Sequence, residues 1–300
     1  MGKKQTIVPN RAPKKKKLRV KEARINRSFG GTFGIFIFLA IISIFMILPM
    51  ILAVCNAFKP IDEILIFPPT FFVRKPTIDN FIQLNRLAGS FWVPISRYIF
   101  NSVFISVVAT GAHILLASMA AYPLSKHNFM GKKSLNIAIE WSLIFTTAVL
   151  AIPTYIIMAT LNLINTYWAV ILPTVGGTLG IYLIKQFMCQ FEDSVIEAAR
   201  IDGCNEYKIY WSIVMPNMKP AWITALIFAF NGIWNTNGGS FIYDESLKTI
   251  PSVMQQIAGG GVARTGATAA ATFLMMLPPI ILFYITQNFV VETMSSSGMK

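Results

Sequence analysis

The sequence predicts an all-α integral membrane protein with six transmembrane helices, and three observations carry that prediction. Of the 300 residues, 54% are hydrophobic and only 13% are charged, about half the charged share of an ordinary soluble domain. Charge-free runs of membrane-crossing length recur along the chain, and a charged side chain at mid-bilayer costs at least about 2.5 to 3.5 kcal/mol. Lys and Arg are also unevenly placed: residues 1–27 hold eleven of them against one acid, supplying +10 of the net +13.

The basic head, read as a cytoplasmic tail over residues 1–28, contains KKKKLRVK and RINR without interleaved aromatic residues. That pattern argues against nucleic acid and for a juxtamembrane anchor held inside by the positive-inside rule and by anionic lipid. The 31 uncharged residues between Arg27 and Lys59 exceed the core of a signal peptide, about 7 to 15 residues, and no A-x-A-like cleavage site follows, so they read as a retained span. From there to residue 300 the chain reads as one transmembrane domain, 29–300.

Runs of 28 residues between Arg97 and Lys126, 24 between Lys219 and Asp244 and 27 between Arg264 and Glu292 each suit one helix of about 20 residues. Between Glu140 and Lys185 lie 44 uncharged residues, with Asn162, Asn165 and Thr166 at their middle. That window reads as a helical hairpin and brings the count to six. Six spans place both termini in the cytoplasm, and the charge bias agrees, with 19 Lys/Arg on inside segments and 7 outside. Backbone groups in lipid must pair within the protein, so the spans form an all-α bundle. Prolines at 49, 123, 153, 173, 278 and 279 mark kinks, and Gly30-x-x-x-Gly34 and Gly176-x-x-x-Gly180 have the spacing of close helix packing.

Cys55, Cys189 and Cys204 form no Cys-x-x-Cys and join no His cluster, which argues for free thiols and against a metal or disulfide framework. No cofactor is expected on this chain. His113, inside the second span, reads as a neutral imidazole bonded to a neighbouring helix, because no acid accompanies it at membrane depth.

The inside loop at about 188–220 carries SVIEAARIDGCNEYKIYWSIVMP at 194–216. Ser194 and Glu197 have the form of a capping box, which predicts a helix starting at Val195. Gly203 then falls where a left-handed residue would end it, after about eight residues and about 12 Å. Asn205 can cap a second helix through Tyr207, Ile209 and Trp211, expected to end before Pro216. Ala198 and Ala199 leave one side of the short helix nearly without bulk, while Glu197, Arg200 and Asp202 present charge. A helix too short to be stable alone suits docking into another protein's groove. The other reading is a helix resting on lipid, but such helices favour Lys and Arg, whereas residues 192–206 hold five acids and one Arg.

This segment resembles the signature loop of the permease subunits of binding-protein-dependent ABC importers: Glu-Ala-Ala, three residues, Gly, nine residues, Ile, one residue, Leu, Pro. The matching positions are Glu197, Ala198, Ala199, Gly203, Ile213, Met215 and Pro216. Only Met215 departs, by a volume-conserving change. With FKPIDEI at 58–64, NSVFISVVAT at 101–110, AAYPLSK at 120–126 and IWN at 233–235, the chain is similar to carbohydrate permeases related to the smaller maltose-permease subunit. The resemblance implies a type I ABC importer permease fold in the cell membrane. The short helix would be a coupling helix, with Glu197, Ala198, Ala199, Arg200, Asp202 and Gly203 meeting a cytoplasmic ATPase. It also implies a homologous permease as heterodimer partner, two ATPase subunits that use ATP and Mg, an extracellular solute-binding protein, and no nucleic acid. The chain itself holds no G-x-x-x-x-G-K-[ST] phosphate loop, so ATP would be handled in trans.

FAFNGIWNTNGG at 228–239 gathers Asn231, Trp234, Asn235 and Asn237. An aromatic face and amides suit a sugar ring and its hydroxyls, so these four are candidates for the substrate path. An interfacial Trp and amides that satisfy a helix break would give the same pattern. Gly259, Gly260 and Gly261, in the outside loop at 240–264, permit close approach to a partner or a flexible connection. A stand-alone ion-coupled secondary transporter is the alternative, but none of the 13 acids lies well inside a span. An intramembrane enzyme would need His-Glu-x-x-His, Gly-x-Ser-x-Gly or an equivalent, and the sequence holds neither.

Overall fold

A computed structural model describes residues 29–90 and 93–297; the basic tail at 1–28 lies outside the described residues. Two units divide the chain, Met1–Pro49 and Met50–Lys300. All regular structure among the described residues is helical.

In the first unit, the described residues are the start of helix α1, Phe29–Phe58, which holds no charged residue in its first or last turn. Phe33, Phe36, Phe38 and Phe45 are each more than half exposed there. Such a surface is stable only against lipid or another chain.

The second unit begins with the end of α1 and the one-turn α2, Ile61–Ile64, then α3, Asp79–Ser90. The 32-residue α4, Ile95–Lys126, is its central column. It packs on α7, Trp168–Val175, on α8, Thr178–Gln190, and on α12, Lys219–Trp234. Between these come α5, Lys132–Ser142, and α6, Thr147–Thr160. Helices α9 (Asp193–Ile201), α10 (Glu206–Ile209) and α11 (Met215–Asn217) form the loop before α12, and α13, Ile250–Ala258, precedes the 33-residue α14, Thr265–Ser297.

Among the described residues, four helical stretches are long and apolar enough to cross a membrane: Gly30–Phe58, Ile95–Lys126, Trp168–Gln190 and Val262–Phe289. A fifth arises if Glu206–Asn217 and Lys219–Trp234, bent by 77°, are taken as one span. The remaining segment at 141–160 holds the 14-residue α6. The prolines at 49, 123, 153, 173, 278 and 279 all lie inside helices.

The expected hairpin tip is a turn. Asn162 and Asn165 both adopt left-handed backbone, with φ of 55° and 64°, which Asn tolerates better than most residues. Asn165 also receives the Tyr243 and Asp244 amides on its Oδ1 at 3.1 and 2.8 Å. The buried polar face of α4 ties the same region down. Asn101 donates to the Ser246 and Lys248 carbonyls, both at 2.8 Å, and accepts from the Tyr167 hydroxyl at 2.7 Å.

His113 is 3% exposed, and its Nδ1 donates to the Val175 carbonyl at 2.9 Å, as a neighbouring-helix bond requires. Val175 ends α7, and the bond satisfies a carbonyl freed by the break at Gly176 and Gly177. A Cβ at Gly180 would run into the imidazole. Gly180 and Gly177 therefore make the room for a side chain wedged between helices, whereas Gly176 meets only the Pro173 carbonyl.

Candidate functional site

Two expectations about the 194–216 loop are corrected. Helix α9 starts at Asp193 behind Glu192, and no side-chain cap bond forms there; Ser194 Oγ points to Glu192 instead, at 3.4 Å. The acidic first turn at Asp193 complements the helix dipole in place of the capping box. The second helix does not stop before Pro216. A π-helical turn at Tyr210–Val214 carries the chain into α11, with the Met215 amide bonded to the Tyr210 carbonyl, and the bend comes at Met218. The wider turn takes up the proline, which has no amide to donate.

The other two signals stand. Gly203 has φ +78°, the Cys204 amide bonds the Ala199 carbonyl and the Gly203 amide bonds the Arg200 carbonyl, both at 3.0 Å. This is a complete Schellman ending, with Cys204 packed on the same core as Ala199 and Ile196. Asn205 Oδ1 accepts the Lys208 amide at 2.9 Å and caps α10.

The inner side of this helix–turn–helix is buried. Ile196, Ala199, Ile209, Tyr210 and Val214 share one core with Ile114, Ala117 and Tyr122 of α4 and with Ile184 and Met188 of α8. Below it, Tyr210 and Ser118 hydroxyls meet at 2.7 Å. The two alanines therefore face opposite ways: Ala199 is 7% exposed and belongs to the core, while Ala198 is on the open side with Glu197. Arg200 and Asp202 are exposed as well, and Ile201 is 87% exposed.

Glu206 joins this loop to α4, and sequence reasoning gave it no role. Its carboxylate accepts from Arg200 Nε at 2.8 Å and from the Tyr122 hydroxyl at 2.9 Å, with His127 Nε2 at 3.4 Å. Six residues separate Arg200 from Glu206, a spacing with no local pattern across a glycine corner, so only the fold brings them together. Lys126, at the end of α4, donates to the Phe191 carbonyl at 2.5 Å and to Asp193 Oδ1 at 2.7 Å. That ammonium holds the Asp193 carboxyl below the usual carboxylate range. The loop is thus a stiff bracket on the ends of α4 and α8.

The four substrate-path candidates divide by environment. Trp234 is 2% exposed, stacks on Phe230 at 5.8 Å and donates from Nε1 to the Met275 carbonyl at 2.9 Å, so its indole is bound into the core with α14. Asn231 and Asn235 donate to the carbonyls one turn back, Ile227 and Asn231. Asn237 donates to Gln255 Oε1 at 2.9 Å. It also lines an open groove of about 470 Å³ with Tyr243, Lys248, Ser252, Gln255 and Gln256. Among the described residues no group of His, Cys, Asp and Glu could hold a metal ion.

The family described as the inner membrane component of binding-protein-dependent transport systems matches residues 113–296, which include the whole bracket. The chain belongs to this family. It is a multi-pass membrane protein and a transport component. It is 29% identical over 273 residues to the arabinooligosaccharides transport system permease protein AraQ of Halalkalibacterium halodurans, across 88% of this chain and 94% of the relative. It is 31% identical over 242 residues to protein LplC of Bacillus subtilis, across 77% and 78%. The crystal structure of a bacterial ABC transporter that imports the acidic polysaccharide alginate contains a chain with the same fold. The TM-score is 0.70 at 20% identity, over 87% of this chain and 98% of that one.

Proposed function

We propose that this chain is one membrane-spanning subunit of an ATP-driven importer that carries a sugar or oligosaccharide into the cytoplasm. The observation that carries the reading is the bracket at 194–216: its inner side is fused to α4 and α8, while Glu197, Ala198 and Ile201 stay open. A short helix held at both ends and bare on one side transmits a push as a rigid body. The sugar rests on the relatives, one named for arabinooligosaccharide transport and another for polygalacturonan and rhamnogalacturonan.

In this reading the chain makes six spans with both termini in the cytoplasm, a basic tail at 1–28 and a permease domain at 29–300. It pairs with a homologous permease, two cytoplasmic ATPase subunits that use ATP and Mg, and an extracellular solute-binding protein. The chain itself binds no cofactor. Glu197, Ala198, Arg200, Asp202 and the Gly203 corner meet the ATPase, and Ala199 seats the helix. Asn231, Asn235 and Asn237 lie along the path, with Trp234 as the wall behind them.

The test is Glu197→Lys beside Gly203→Asp in the assembled transporter. Both variants are expected to insert normally and to lose ATPase association and uptake of labelled oligosaccharide. Normal uptake by both would sink the coupling role. Uptake that persists without the ATPase and follows a proton gradient would instead support the ion-coupled alternative.

A further inference from the structure

The loop between α1 and α3 has its polarity inside out. Lys59 and Glu63 are 1% and 6% exposed, whereas Phe67 and Phe72 are 93% and 78% exposed, with Leu65, Ile66 and Phe71 open beside them. The charged side chains are used internally. Lys59 Nζ donates to the Thr70 carbonyl, and the Glu63 carboxylate accepts the Arg74 amide at 2.9 Å and the Lys75 amide at 3.4 Å. The Thr77 amide closes the neck on the Phe58 carbonyl at 2.9 Å. Asn80 Nδ2 caps the Ala57 and Lys59 carbonyls at 3.0 and 2.7 Å. In water such a loop would hide its phenylalanines and release its charges. Held this way, it is built for an apolar surrounding.

The depth of the loop says which surrounding. Phe58 and Phe81 close on Phe273 of α14, with ring centroids 5.6 and 6.0 Å apart. Asn80 sits against Gly266, where a Cβ would meet its carboxamide. Phe273 is eight residues past Thr265, about 12 Å along the helix, and the apolar span there is Val262–Phe289. The neck of the loop therefore lies level with the outermost turns of a membrane-crossing helix. Arg74 and Lys75 follow the phenylalanines in the chain and are exposed as well, which puts cations for headgroup phosphates on the same loop as aromatic rings for acyl chains.

We infer that residues 65–75 form an interfacial membrane anchor, a preformed loop that seats Phe67, Phe71 and Phe72 in the acyl–headgroup boundary where α1 leaves the bilayer. This rests on the chain's place in the membrane and is independent of the cargo. The test places benzoylphenylalanine at Phe67 and, separately, at Phe72 in the full-length chain expressed with its cellular partners, and irradiates native membranes. A phospholipid adduct at both positions is the expected result. In parallel, the complex carrying Phe67→Trp is reconstituted in vesicles of brominated phosphatidylcholine and should lose most of the emission that the new indole adds in unbrominated vesicles. Adducts to another polypeptide, such as an extracellular binding protein, or added emission that bromine leaves unchanged would overturn the anchor.

Discussion

Gly203 is required by backbone conformation and not by space. Its φ is +78°, and an added Cβ would meet nothing within 4 Å, so Gly203→Ala should cost the bracket about 1 to 2 kcal/mol through left-handed strain alone. Gly203→Asn, which tolerates that conformation, should cost less than Gly203→Val. Thermal unfolding of the purified complex checks the order, and equal losses for Asn and Val would point to a packing role instead. Lys126 poses a different case, because it satisfies a backbone carbonyl as well as a carboxylate. Lys126→Met leaves the Phe191 carbonyl without this donor, a loss of about 1 to 3 kcal/mol. Asp193→Asn removes only an exposed partner and should be far milder.

At the scale of elements, the Lys126–Asp193 bond sets how α9 responds to acid. Because the folded-state pKa of Asp193 is lowered, the bond's contribution is complete above the ordinary carboxylate range and is lost as pH falls through the lowered value. The protection of α9 amides, relative to their intrinsic exchange at each pH, should therefore fall on acidification in the wild type, and Lys126→Met should remove most of that fall. The interrupted helix α7–α8 depends on His113 in a comparable way. His113→Ala should cost about 1 to 3 kcal/mol by leaving the Val175 carbonyl without its donor, while His113→Asn, which keeps a donor, should recover part of it. What was legible in the sequence follows from these cases. Gly203 and Asn205 act through their own backbone and nearest amides, so spacing alone reveals them. Ser194 misled because Asp193, one residue earlier, already suits the helix start. The Glu206 hub and the bond that fills the break at Gly176 and Gly177 depend on Tyr122 and His113 of α4, far along the chain, which no local pattern encodes.

For the molecule as a whole, charge-free windows located the long apolar helices because the cost of burying a charge in lipid exceeds any local propensity. The same windows did not show that the stretch after Glu140 would hold a 14-residue helix, since hydropathy records what lipid tolerates and not where a helix breaks. Sidedness is the remaining global property, and the cysteines make it measurable. Cys189 is exposed at the end of α8, just before the bracket. The proposed topology of six spans with cytoplasmic termini would put that bracket, with its open face, on the inside, the side where ATP is available to a partner. In a Cys55→Ser, Cys204→Ser background, a membrane-impermeant maleimide should leave Cys189 unlabelled in intact cells and label it in inside-out vesicles. Labelling in intact cells would place the bracket outside, and no ATPase could then reach it.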